Sequence, residues 1–134
     1  MREILFKAKR KDNSKWFEGY YQKKYDFLGN EEHRIFHADS YRVWEYAEID
    51  PKTLCQFTGL CDKNGNKIWE NDIIQYGAVA AVVKFGEYSN GNLGFYVDFP
   101  EETNYRKDFS YWAKKVVVIG NAVDDRSLLH EVPE

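Results

Sequence analysis

Residues Gln56 to Ile74 constrain the fold more than any other stretch, because they place a strong turn signal between runs of strand character. Asn64-Gly65 separates Leu54–Thr58 from Lys67–Trp69 and the apolar Ile73-Ile74 that follows. Both central residues of a type I′ hairpin turn take positive φ, which most side chains resist. The dipeptide therefore predicts a two-residue hairpin loop. Thr58, Gly59, Asp62, Glu70 and Asp72 read as part of the same geometry, since Thr and Asp side chains bond nearby backbone amides and Gly59 permits a bend or close backbone approach. The segment specifies shape, not a reaction.

The rest of the chain repeats the strand signal. Ile4, Phe6 and Ala8 alternate with Glu3, Lys7 and Lys9, the period of a half-buried strand, and Lys11-Asp12-Asn13-Ser14 then turns the chain into an aromatic return strand from Trp16 to Tyr21. A loop is expected from Asp26 to Glu32, and short strands at Arg34–His37 and Tyr41–Tyr46. Asp50-Pro51 opens a helical turn, with Asp as cap and Pro at the first helical position. Val79–Phe85, Gly94–Phe99 and Lys115–Ile119 read as further strands. Tyr105, Phe109 and Trp112 are spaced by four and three, which predicts a short amphipathic helix within Glu101–Trp112, and Asp124-Asp125 is placed to cap a terminal turn.

At 134 residues the chain is long enough for a core without covalent staples. Four Trp, ten Tyr and nine Phe favour pleated, half-buried surfaces over helices. The fold expected is mainly β with one or two short helices, in small curved sheets that include an SH3-like half-barrel. It forms one domain over 1–134, with sub-parts at 1–48 and 49–134. With no run of about 18 apolar residues and no basic-then-apolar leader, a cytoplasmic location without membrane attachment is expected. Cys55 and Cys61 are five residues apart in the intervening count, which suits neither a redox pair nor a zinc site, so no disulfide and no cofactor is expected.

The central block, Gln-Phe-Thr-Gly-Leu-Cys-Asp-Lys-Asn-Gly followed by Ile68, Trp69, Glu70 and Asp72-Ile73, resembles the signature of the YopX-like family of bacteriophage and prophage proteins. Arg2–Ala8 is similar to that family's first strand, Ile49-Asp50-Pro51 to the approach to its central block, and Val118-Ile119-Gly120-Asn121 to its C-terminal signature. The resemblance runs from end to end. It implies a mostly β fold, a bacterial host cell as location, and no established biochemical activity. It also marks Thr58, Gly59, Asp62, Asn64, Gly65, Glu70, Asp72, Gly120 and Asn121 as a structural signature.

Candidate chemistry is sparse. Asp62, Asn64 and Asn66 alternate like the first ligands of a calcium loop, but Lys67 and Ile73 stand where that loop needs Gly and Glu. His33 and His37 share a face on a strand or a helix, with no further ligand placed beside them. Glu101-Glu102 and Asp124-Asp125 read as surface and cap residues, and the common catalytic signatures are absent. An enzyme is not expected.

Charge is uneven: residues 1–24 hold eight Lys or Arg against Glu3, Asp12 and Glu18, so a segment of +5 is joined to a remainder of −8. Opposed charge of this kind favours association between copies, or offers a basic patch to an anionic partner. The leading expectation is a non-enzymatic accessory protein that self-associates or binds a phage or host protein. The alternative is nucleic-acid binding by the first hairpin, through Lys7, Lys9, Lys11 and Lys15 with Trp16, Phe17, Tyr20 and Tyr21 as stacking groups.

Overall fold

A computed structural model describes residues 4–38 and 44–130, with nothing described for the side chains of Ala38, Trp44 and His130. The ends of the predicted strands at Glu3 and at Tyr41 lie outside that range. Within it the chain is mainly β, as expected, with two antiparallel sheets, no closed barrel and a single short α-helix. The strands are β1 (Phe6–Lys9), β2 (Trp16–Tyr25), β3 (Glu31–Ala38), β4 (Trp44–Glu48), β5 (Cys55–Cys61), β6 (Lys67–Trp69), β7 (Asp72–Tyr76), β8 (Val79–Tyr88), β9 (Asn92–Val97) and β10 (Val117–Asn121), with α1 at Phe109–Trp112. They fall into two compact units, Met1–Phe57 and Thr58–Glu134.

In the first unit the strands lie in the order β4-β3-β2-β1, and the start of β5 adds to β1 with Phe6 opposite Gln56 and Lys7 opposite Cys55. Alternation sorts the side chains. Ala8, Ile35 and Ile49 form a buried cluster backed by Phe6, Phe17, Tyr21 and Leu54. Gly19 is required by close approach: a Cβ there would sit 2.0 Å from the carbonyl oxygen of Phe36 on β3. After β4, Asp50 accepts the Lys52 amide at 3.0 Å and caps the 3-10 turn Pro51–Thr53, as the Asp-Pro pair predicts.

The second unit holds an open sheet in the order β10-β7-β8-β9, with the end of β5 beside β6. Its core gathers Ile68, Ile74, Val83, Val97, Phe99, Phe109, Trp112 and Val116. The helix predicted within Glu101–Trp112 is confined to the last turn, α1. A 3-10 turn, Glu101–Thr103, stops at Asn104 with φ 55°, and Asp108 bridges to Tyr96 of β9 before the one turn of α1. The Thr103 hydroxyl donates to the Pro100 carbonyl at 2.7 Å and accepts the Tyr105 amide at 3.2 Å, so local side-chain bonds displace the helical ladder. The aromatic spacing still has a structural outcome: Tyr105 and Trp112 pack at 5.3 Å and both meet Phe99.

The hairpin loop at Asn64-Gly65 also differs from expectation. Gly65 has φ 84°, but Asn64 keeps negative φ, so the type I′ turn is replaced by a three-residue loop. The Gly65 amide donates to the Asp62 carbonyl at 3.0 Å and the Asp62 amide to the Asn66 carbonyl at 2.8 Å. The Asp62 side chain decides the choice, because its Oδ1 accepts the amides of both Asn64 and Asn66 at 2.9 Å.

Candidate functional site

The same loop is built twice. Asp26-Phe27-Leu28-Gly29-Asn30, which joins β2 to β3, repeats the hydrogen bonds of Asp62-Lys63-Asn64-Gly65-Asn66 bond for bond. The Gly29 amide meets the Asp26 carbonyl at 3.0 Å and the Asp26 amide the Asn30 carbonyl at 2.9 Å, while Asp26 Oδ1 accepts the amides of Leu28 and Asn30 at 2.9 Å. Gly29 has φ 85° beside the 84° of Gly65. The two loops differ in what they present and in how deeply they are anchored.

Asp62 is anchored. It is 4% exposed, and its Oδ2 accepts the Val118 amide of β10 at 3.0 Å across 56 residues of sequence. The Lys63 amide donates to the carbonyl of Val116, the residue just before that strand, at 3.1 Å and fixes the loop there too. Burial alone would push the Asp62 carboxyl up, but the amides of Val118, Asn66 and Asn64 together outweigh it and hold the group below its ordinary value. A carboxylate held this way stays charged and gives no proton near neutral pH.

The other signature residues are spent on the same task. Thr58, 6% exposed, donates to the Ile68 carbonyl at 2.7 Å and ties β5 to β6. Gly59 takes φ 88°. Asp72, 3% exposed, accepts the Trp69 amide at 2.8 Å across the turn between β6 and β7, a turn that also needs Asn71 at φ 72°. Gly120 follows a bulge opposite β7, and a Cβ there would sit 2.7 Å from Asp125 Oδ2, the atom that accepts the Asn121 amide at 3.1 Å. Asn121 Oδ1 in turn accepts the amides of Val123 and Asp124. Asn121 thus caps the turn at 122–124, and the terminal 3-10 turn Arg126–His130 starts directly after Asp125, whose carbonyl accepts the Leu128 amide at 2.9 Å. Glu70 sits half-buried in the turn before β7.

The alternative set is partly assembled. Register places Lys7 and Lys9 opposite Glu18 and Trp16, and the two ammonium groups lie 4.7 and 5.6 Å from the Trp16 ring. Tyr20 shares this face, which continues through Phe36 to Tyr46, with Arg34 stacked 4.8 Å from the Tyr46 ring. Phe17 and Tyr21 go instead to the apolar cluster on the opposite face. Lys11 pairs with Glu48 at 3.2 Å, and Lys15 lies in the turn.

Among the described residues no three His, Cys, Asp or Glu side chains gather into a metal-binding group. His33 bonds the Tyr21 hydroxyl and Glu31, whereas His37 meets the Glu18 carbonyl. Cys55 is buried with its Sγ directed at the Thr53 carbonyl, and Cys61 is half-buried. No helix among the described residues is long and apolar enough to cross a membrane.

Sequence reasoning overlooked Phe27 and Leu28. They stand at the tip of the first loop, 97% and 73% exposed, where the second loop carries Lys63 and Asn64. Setting the two Asp-x-x-Gly-Asn strings side by side is the signal that would have found them.

Fold and site together define a small two-sheet β protein whose signature residues bind its own backbone. A family model described as YopX protein matches residues 5–130, nearly the whole chain. The chain belongs to the YopX family. No curated protein matches it significantly.

Proposed function

We propose that the chain is a phage or prophage accessory protein of the bacterial cytoplasm that acts by binding protein, through self-association or a phage or host partner, and performs no catalysis. One observation carries this reading: an ordered loop holds Phe27 almost wholly in solvent beside Leu28. Large apolar groups fixed in place and exposed are the side chains that protein interfaces use as anchors. The inward-turned signature carboxylates are consistent with a scaffold role. Light scattering on the eluting protein, with pull-down during phage growth, tests it. A strict monomer that enriches no partner would remove the reading.

The cation and aromatic face of the first unit supports a second reading, single-stranded nucleic-acid binding through Lys7, Lys9, Trp16 and Tyr20, extended by Arg34, Phe36 and Tyr46. Base stacking on exposed rings beside cations is sequence-tolerant and weakens steeply with salt. Trp fluorescence titrated with oligothymidylate at low salt is expected to quench and to recover on adding salt. A flat titration would dispose of this reading.

A further inference from the structure

Phe27 and Leu28 are not demanded by their loop. The twin loop closes with the same bonds, the same Gly conformation and the same Asp and Asn, yet carries Lys63 and Asn64 at the two tip positions. Folding therefore leaves those positions open to polar residues, and an exposed Phe-Leu pair must be explained by what it meets. A negatively charged bilayer is a poor candidate. Around the tip Lys23 pairs with Glu31 at 3.2 Å, Lys24 with Glu32 at 3.8 Å and Arg34 with Glu32 at 2.8 Å, which leaves no basic collar among the described residues to draw it to anionic lipid.

The second unit holds a cavity of about 310 Å³ at β8 and the C-terminal 3-10 turn. Ala80, Val82, Ala122 and Leu129 supply its apolar lining, and Lys84 and Arg126 also line it. The cavity is open to solvent on one side, so side chains can enter it from outside. Net charge also attracts the two units to one another at long range. The first unit, residues 1–57, has eleven Lys and Arg against ten Asp and Glu, and the second, residues 58–134, has eight against twelve, so a net of +1 meets −4.

We propose that Phe27 and Leu28 of one copy seat in the Ala80, Val82, Ala122 and Leu129 cavity of a second copy. The occupant is thus another molecule of this chain, and the proposal rests on the self-association reading above. Knob and cavity are different surfaces, so each copy offers one of each to its neighbours.

Sedimentation velocity over a wide concentration series tests it with three proteins: the wild type, a tip variant Phe27→Lys/Leu28→Asn that copies the twin loop, and a cavity variant Leu129→Glu. Ala122→Leu, which fills the cavity with an apolar group, replaces Leu129→Glu if that chain does not fold. The wild type is expected to sediment as an oligomer and each variant alone as a monomer with an unchanged circular dichroism spectrum. Mixed in equal amounts, the two variants are expected to form a one-to-one heterodimer and nothing larger, since one retains the cavity and the other the knob. A wild type monomeric throughout would overturn both this contact and self-association. An oligomer unaffected by the tip exchange, or variants that dissociate but do not pair when mixed, would overturn this contact alone.

Discussion

Replacing Asp62 removes one side chain that serves two distant pieces of backbone. In Asp62→Ala the half-buried Val118 amide loses its acceptor, and stranding such a donor costs about 1–3 kcal/mol. The amides of Asn64 and Asn66 lose their cap as well. They sit nearer solvent, so the loop share is about 0.5–2 kcal/mol, the usual range for a lost Asp cap. Together the loss is about 1.5–5 kcal/mol, which at this chain length lowers Tm by roughly 10–15 °C near the middle of that range. Asp62→Asn retains an acceptor for the loop but turns an N–H toward the Val118 N–H, and should lose only the first share, about 1–3 kcal/mol.

Asp26→Ala is the internal control. Its acceptor geometry is the same, but its partners are confined to the exposed loop, so its Tm shift should be distinctly smaller. Thermal unfolding followed by circular dichroism reads all three. Equal shifts at Asp62 and Asp26, or no shift in Asp62→Asn, would refute the claim that the bond to β10 carries the difference. The effect of pH has a defined sign. The folded carboxyl of Asp62 lies below its unfolded value of about 3.9, so its stabilisation is complete above about pH 5 and is lost as pH falls through the folded value. Asp62→Asn should flatten that part of the acid limb.

Gly65→Ala and Gly29→Ala should each cost about 1–2 kcal/mol in denaturant titrations, because both residues take left-handed backbone with open space around the missing Cβ. Gly19→Ala should cost far more, with loss of a cooperative transition as the expected reading, since the added carbon meets the Phe36 carbonyl at 2.0 Å. Thr58→Val should cost about 1–3 kcal/mol by leaving the Ile68 carbonyl without its hydroxyl donor. At dilutions where both are monomeric, Phe27→Lys/Leu28→Asn should stay within about 0.5 kcal/mol of the wild-type stability, because exposed positions away from caps and cores rarely matter to it.

What the sequence made legible was local. Alternation at Phe6–Lys9 located β1, Asp50-Pro51 located its 3-10 turn, and Asn64-Gly65 located a hairpin. The turn type was misread because Asn-Gly serves several loops, and the deciding bonds come from Asp62, two and four residues away from the amides it holds. The Tyr105, Phe109 and Trp112 spacing identified Tyr105 and Trp112, which pack together, and Phe109, which joins Trp112 in the core, but the path between them is set by Thr103 and by pairing with β9, which a periodicity argument does not weigh. Gly19 and the Asp62 bond to Val118 depend on strands that meet only after folding. No neighbour in sequence records them.

The central claim, that the family block is a bracket locking the loop onto β10, is tested most directly by a pH titration followed by NMR on the Asp62 carboxyl carbon and the Val118 amide nitrogen together. The account predicts one shared midpoint, lying below the ordinary carboxylate range, at both nuclei. An Asp62 that titrates at or above that range, or a Val118 amide that does not follow it, would contradict the account.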